Sequence, residues 1–186
     1  AMNTATFEST YPVMAGIRWL KTYVAMILSP LDPRHVATGQ LVWAGFRVTL
    51  GGVVVLGVMM AFGLVALVHA IVLVPVATLT GLAFAAPIQA FAAAQKNDTP
   101  YATLFRFVIM PLFIFSGTFF PITQLPEPLQ VVAVLTPLWH AVALSRGIAL
   151  DALEPAIAAI NISYLGALAV LGLLWSYRSF SRKLAE

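Results

Sequence analysis

The chain has 186 residues, 61% of them hydrophobic and 9% charged, with a mean hydropathy of +0.94 and a formal net charge of +3. Soluble domains carry about 25% charged residues, so this composition excludes an ordinary soluble domain and points to a lipid bilayer, while the small, scattered positive charge leaves no footprint for nucleic acid. The absence of cysteine removes disulfides and thiolate metal sites, and the three histidines, His35, His69 and His140, have no ligand partner at helical spacing.

The opening residues lack the charged start and apolar run of a signal peptide. They read as a spanning helix entered partway, ending over Ala1–Met14, as in a piece of a longer subunit. Glu8 falls inside that stretch. An ionisable group at membrane depth is costly and ordinarily faces a bundle interior or a cavity, so Glu8 is a candidate for the lining of a path.

Residues 16–30 read as one amphipathic helix lying at the membrane surface. Arg18, Lys21 and Thr22 share a face at i, i+3, i+4. Trp19, Tyr23, Met26 and Ile27 share the adjacent one, and Pro30 ends the helix. Two uses are open: a surface anchor, or a docking helix for a cytosolic subunit. Asp32-Pro33 then supplies an N-cap and an N1 proline for the next helix.

A span needs about 20 apolar residues. The sequence offers 41–67, 70–94 and 156–177, with 104–120 near the lower limit. Gly63 and His69 are both turn markers between the first two spans, and the sequence alone does not choose between them. Small residues at Gly45, Gly52, Gly57 and Ala61, and at Ala77, Gly81 and Ala85, mark close helix contacts. Along 104–120, Phe105, Leu112, Phe115 and Phe119 recur at helical spacing as an aromatic stripe. That helix runs into Ser116-Gly117-Thr118-Phe119-Phe120-Pro121. Beyond it, residues 123–150 are too short and too broken by proline to cross fully, and read as a re-entrant hairpin on the outer face.

Charge orients the bundle. With the start of the chain inside, the inner segments hold Arg18, Lys21, Arg34, Arg47, Lys96, Arg106, Arg178, Arg182 and Lys183, all but Arg146 of ten basic residues. This is the positive-inside pattern, with both ends of the chain cytoplasmic.

Two stretches invite an enzyme reading. Gly16–Thr22 lacks the glycine directly before Lys21 and a preceding strand, so it is no phosphate loop, and the chain does not hydrolyse ATP by itself. Ser116 and His140 could serve an intramembrane hydrolase, but no G-x-S-x-G elbow frames Ser116 and no carboxylate lies at a depth to orient His140.

Two stretches carry a family resemblance. One is Thr6-Phe7-Glu8-Ser9-Thr10-Tyr11 followed by Lys21-Thr22-Tyr23-Val24-Ala25-Met26-Ile27-Leu28-Ser29-Pro30-Leu31. The other runs from Phe115-Ser116-Gly117-Thr118-Phe119-Phe120-Pro121 through Gln124-Leu125-Pro126 to Thr136-Pro137-Leu138-Trp139-His140. With these the chain resembles the permease subunit of type-two ABC exporters, in the branch of daunorubicin-resistance and nodulation-factor exporters. The resemblance implies an all-α polytopic bundle with an interfacial coupling helix over 16–30 and an external re-entrant hairpin over 123–150. It places the chain from the middle of the second of six spanning helices to the end.

It also implies partners: an ABC ATPase subunit, which carries the ATP and Mg, and a second permease copy or paralogue in a bacterial inner membrane. This chain itself would bind no cofactor. The ATPase interface would be Arg18, Trp19, Lys21, Thr22 and Tyr23, and the path or gate Glu8, Phe115, Ser116, Phe119 and Phe120. The implied cargo is a drug, lipid or lipid-linked glycan. The rival functions are the Ser116/His140 enzyme and a pore or structural subunit without ATP coupling.

Overall fold

Asp32 opens the first long helix. Its carboxylate accepts from the Arg34 amide at 2.8 Å while His35 Nδ1 accepts from the Asp32 amide at 3.2 Å, and Pro33 takes the position where a missing N–H costs nothing. The structure, a computed structural model, describes residues 1–119, 122–124 and 126–184. Its helices are α1 (Met2–Met14), α2 (Thr22–Ile27), α3 (Pro33–Ala61), α4 (Leu67–Ala94), α5 (Thr99–Leu104), α6 (Met110–Phe115), α7 (Glu127–Val134), α8 (Pro137–Ala149) and α9 (Pro155–Leu184). The described residues contain no strand, so the chain is an all-α membrane helix bundle.

α3, α4 and α9 are long and apolar enough to cross a bilayer. α3 begins at Pro33, the helix start that Asp32-Pro33 predicts, eight residues before the apolar run at Leu41. It stops before Leu67, because the chain turns over 62–66 with Gly63 at φ +71, a conformation that favours glycine. His69 lies beyond that turn in the first turn of α4, where its Nε2 meets Asp151 at 2.9 Å.

The expected helix over 104–120 runs instead over Thr99–Phe115, shorter than the other spans. α5 and α6 are joined by a π-helical turn, Phe105–Ile109. Ser116 closes the helix and Gly117 follows at φ +82, so the chain has left helical geometry before Phe119.

α4 is the axis, packed by α9, α3, α1 and α8. Small residues set the spacing. A Cβ on Gly81 would come 2.6 Å from Val48, and one on Gly172 would come 2.6 Å from the Pro87 ring. Gly57, expected at such a contact, faces open space. Gln89, fully buried in α4, donates to the Ala37 carbonyl at 3.0 Å and to Ser176 Oγ at 2.7 Å, tying α4 to α3 and α9.

The core divides along the bundle. At one end Val13, Ile17, Val36, Ala92, Tyr101 and Phe180 pack together; at the other are Leu56, Leu73, Leu144, Ile148 and Ala158. α7 and α8 meet at 82° near the second end.

Candidate functional site

At the first end, residues 16–30 do not form one helix. α1 continues through a π-helical turn, Ala15–Trp19, and breaks at Leu20 and Lys21. Lys21 holds φ +54, and the short α2 follows. The expected shared face of Arg18, Lys21 and Thr22 is therefore not formed, since an i, i+3, i+4 face needs an unbroken helix. Arg18 turns inward, its Nε and Nη2 buried without a hydrogen-bond partner among the described residues. Trp19, at 57% exposure, and Lys21 and Thr22 face outward.

Tyr23 anchors α2. Its ring lies against Gly16, where a Cβ would come within 2.6 Å, and 6.1 Å from Phe180 between centroids. Its hydroxyl donates to Gln40 Oε1 at 2.7 Å, and burial pushes its pKa up to about 12, so the donor stays protonated.

Glu8 lies in mid-α1 and faces α3. Arg47 Nε sits 3.1 Å from Oε1, and Trp43 Nε1 donates to Oε2 at 3.2 Å. Gln40 Nε2 donates to the Glu8 main-chain carbonyl at 2.8 Å. The charge pattern counts Arg47 among the inner segments. It stands instead about 21 Å along α3, at 1.5 Å per residue from Pro33. Arg34, Lys96, Arg178 and Arg182 lie in segments next to the cluster at the first end, while Arg106 lies in the π-helical turn Phe105–Ile109. Arg47, Trp43 and Gln40 were missed as site residues. The signal for Arg47 was a lone charge inside an apolar run, the same signal that singled out Glu8.

The expected aromatic stripe is broken up. The π-helical turn changes the angular spacing, so Phe105 meets Phe7 at 6.0 Å and Leu112 packs against the core, while Phe115 is exposed. Phe119, 64% exposed, sets its edge against Phe113 at 5.0 Å. Phe120 lies outside the described residues. Glu8 and the Phe115–Phe119 segment are not brought together.

Two cavities lie nearer the second end. One of about 460 Å³ is bordered by Val48, Gly52, Leu56, Leu73 and Arg146, and one of about 370 Å³ by Thr80, Phe113, Thr118, Ser145 and Arg146. Arg146 Nη2 donates to the Thr118 carbonyl at 3.3 Å.

No hydrogen bond joins Ser116 to His140. Ser116 Oγ pairs with the Phe113 carbonyl and with Thr118 Oγ1, and His140 Nδ1 pairs with Asn161 at 2.7 Å. A nucleophile needs its base within hydrogen-bond reach, and here each is engaged elsewhere. Among the described residues no group of His, Asp and Glu is placed to hold a metal.

Residues 1–150 match the ABC-2 type transporter family. The chain belongs to that family. Among curated relatives, Nodulation protein J of Rhizobium leguminosarum bv. trifolii is 34% identical over 153 residues, 81% of this chain and 57% of the relative. Nodulation protein J of Rhizobium leguminosarum bv. viciae is 32% identical over 152 residues, 78% of this chain and 56% of the relative. Nodulation protein J of Sinorhizobium fredii is 30% identical over 187 residues, 99% of this chain and 70% of the relative. The chain thus spans a little over half the length of the first two. No solved structure matches it. Membership of the ABC-2 type transporter family, with three helices long and apolar enough to cross a bilayer, makes this a multi-pass membrane protein.

Proposed function

We propose that this chain is the membrane-spanning permease part of an ATP-driven exporter in a bacterial inner membrane. It works with an ABC ATPase and a second permease copy or paralogue. The observation that carries the proposal is the ABC-2 family match across residues 1–150. ATP and Mg are bound and used on the ATPase. Nucleotide biases the bundle between two states through whatever contacts differ between them.

The ATPase docks at the first end of the bundle, which faces the cytoplasm. Its footprint is Trp19, Lys21 and Thr22, with Tyr23 tying the footprint to the bundle; Arg18 supports it from inside. The concentration of Arg34, Lys96, Arg178, Arg182 and Lys183 in the segments at that end supports this orientation. The cargo is a hydrophobic or amphipathic molecule: a drug, a lipid or a lipid-linked glycan. The apolar cavities with Arg146 at their border suit that class. Phe115, Ser116, Phe119 and Phe120 close the outer end of the path, and Glu8 acts at its middle.

The test is copurification. The full-length protein, expressed with its neighbouring genes, is expected to bring down an ATP-binding cassette subunit. The variant Trp19→Ala/Lys21→Glu is expected to lose that subunit while remaining folded. Retention of the ATPase by the variant would move the docking surface elsewhere. Purification of the folded full-length protein with no ATPase at all would favour an ATP-independent pore.

A further inference from the structure

Pro12 has no N–H, so the carbonyl of Glu8, four residues earlier, loses its helix partner. A carbonyl left open inside a bilayer must find a donor from elsewhere. Gln40 of α3 supplies it at 2.8 Å. That carbonyl can only accept, so the amide nitrogen of Gln40 faces α1 and its oxygen faces Tyr23, whose hydroxyl donates at 2.7 Å. One side chain, almost wholly buried, therefore bridges α2 to the weakest point of α1.

α2 is a short separate element with few ties to the bundle. It has six residues, none of them buried, flanked by the left-handed Lys21 on one side and Ser29-Pro30 on the other. It holds to the bundle through Tyr23 and Ile27, which pack against the cluster at the first end. α1 is compliant at Pro12, where the helix lacks a bond. Just above, α3 grips Glu8 twice: its main chain through Gln40, and its carboxylate through Arg47 and Trp43.

We propose that Gln40 is a positioning residue that carries displacement of α2 into the Pro12 hinge of α1, through the chain Tyr23–Gln40–Glu8. The inference rests on the permease reading above, since it takes the motion of α2 from the ATPase. Nucleotide-driven movement at the docking surface then pulls on the amide of Gln40. The upper part of α1, with the Glu8–Arg47 pair, follows.

The absence of cysteine allows spin labels at introduced cysteines in the full-length permease–ATPase complex, in lipid. One pair, Val24 and Val54, reports α2; a second, Asn3 and Val54, reports α1 beyond the hinge. In the unmutated protein, trapping with Mg-ATP and orthovanadate is expected to change both distances by about 2 Å, the scale of helix shifts at interfaces. In Gln40→Leu the α2 change is expected to persist and the α1 change to be lost. Persistence of both would overturn the relay and leave the permease reading standing. No change at α2 in the unmutated complex would overturn the docking reading, and the relay with it.

A folding defect is separated by Pro12→Ala/Gln40→Leu. Alanine returns an N–H to the Glu8 carbonyl, so the fold no longer needs Gln40. The α1 response is expected to stay absent in this well-folded double variant. Its return would mean that Gln40 serves only to satisfy the carbonyl, and would overturn the proposal. Tyr23→Phe, which removes only the hydroxyl, is expected to weaken the α1 response in the same direction.

Discussion

Arg47 Nε lies 3.1 Å from the carboxylate of Glu8, and both residues stand in the middle of their helices. Side-chain exposure is 49% for Arg47 and 16% for Glu8, so the carboxylate is the enclosed partner. Removing Glu8 strands a guanidinium at membrane depth. Insertion scales put such a charge at about 2.5–3.5 kcal/mol. Glu8→Ala is expected to lose stability on that order, while Glu8→Ala/Arg47→Leu recovers most of it. A double-mutant cycle by unfolding in detergent measures the coupling. Additive losses would mean that the two charges do not act as a pair.

The contact between α4 and α9 rests on Gly172. A Cβ there would sit 2.6 Å from Pro87 and 2.9 Å from Ala86, and neither a proline ring nor a neighbouring Cβ can swing aside. Gly172→Ala is expected to destabilise by about 1–3 kcal/mol, the usual range for overpacking. Gly166 lies on the same helix with nothing within 4 Å, so Gly166→Ala is expected to be neutral or slightly stabilising. Thermal unfolding of the two variants in one detergent checks the contrast. Equal effects would mean that helix propensity, not the close approach, governs α9.

Much of this architecture was legible in the residues. Long apolar runs named the spans, Asp32-Pro33 named a helix start, and the prolines after Gly117 named the bent pair. Two of the failures share a cause: each treated a helix as unbroken and regular. The π-helical turns at Ala15–Trp19 and Phe105–Ile109 change the angle between successive side chains. The first, with the left-handed break at Lys21, removed the shared face of Arg18, Lys21 and Thr22, and the second dispersed the stripe that began at Phe105. Nothing in local sequence separates a π-helical turn from an α-helical one, because both satisfy the same hydrophobic pattern. Arg47 was misplaced for another reason. Arg47 lies within the expected 41–67 span, and its depth shows only when its partner, 39 positions away, is seen in space.

The orientation of the hairpin is open to direct labelling. Glu127 begins α7 and Asp151 follows α8, and both stand at the exposed ends of the bent pair. If the pair dips into the bilayer and returns, single cysteines at both positions are expected to react with an impermeant thiol reagent added from outside intact cells. Labelling of one alone would mean that the segment crosses completely and that α9 runs the other way.

The hairpin is held to α9 by a small polar cluster. His140 Nδ1 lies 2.7 Å from Asn161 Oδ1, both buried, and the His140 ring stacks on Tyr164 at 4.0 Å. Tyr164 donates its hydroxyl to the Leu135 carbonyl at 2.7 Å, closing the end of α7. Asn161 Nδ2 has no partner among the described residues, so the amide depends on the histidine for its one side-chain bond. His140→Phe keeps a ring on Tyr164 but leaves the Asn161 oxygen buried and unpaired, at an expected cost of about 1–3 kcal/mol. Replacing both partners by apolar groups removes the penalty, so His140→Phe/Asn161→Leu is expected to regain most of the loss. Tyr164→Phe acts at the other contact: it frees the Leu135 carbonyl and is expected to raise the reactivity of a cysteine at Val131, on α7, with little change in overall unfolding. If His140→Phe is neutral by itself, the cluster does not hold the hairpin, and packing of Leu138 and Leu144 against the core carries that work alone.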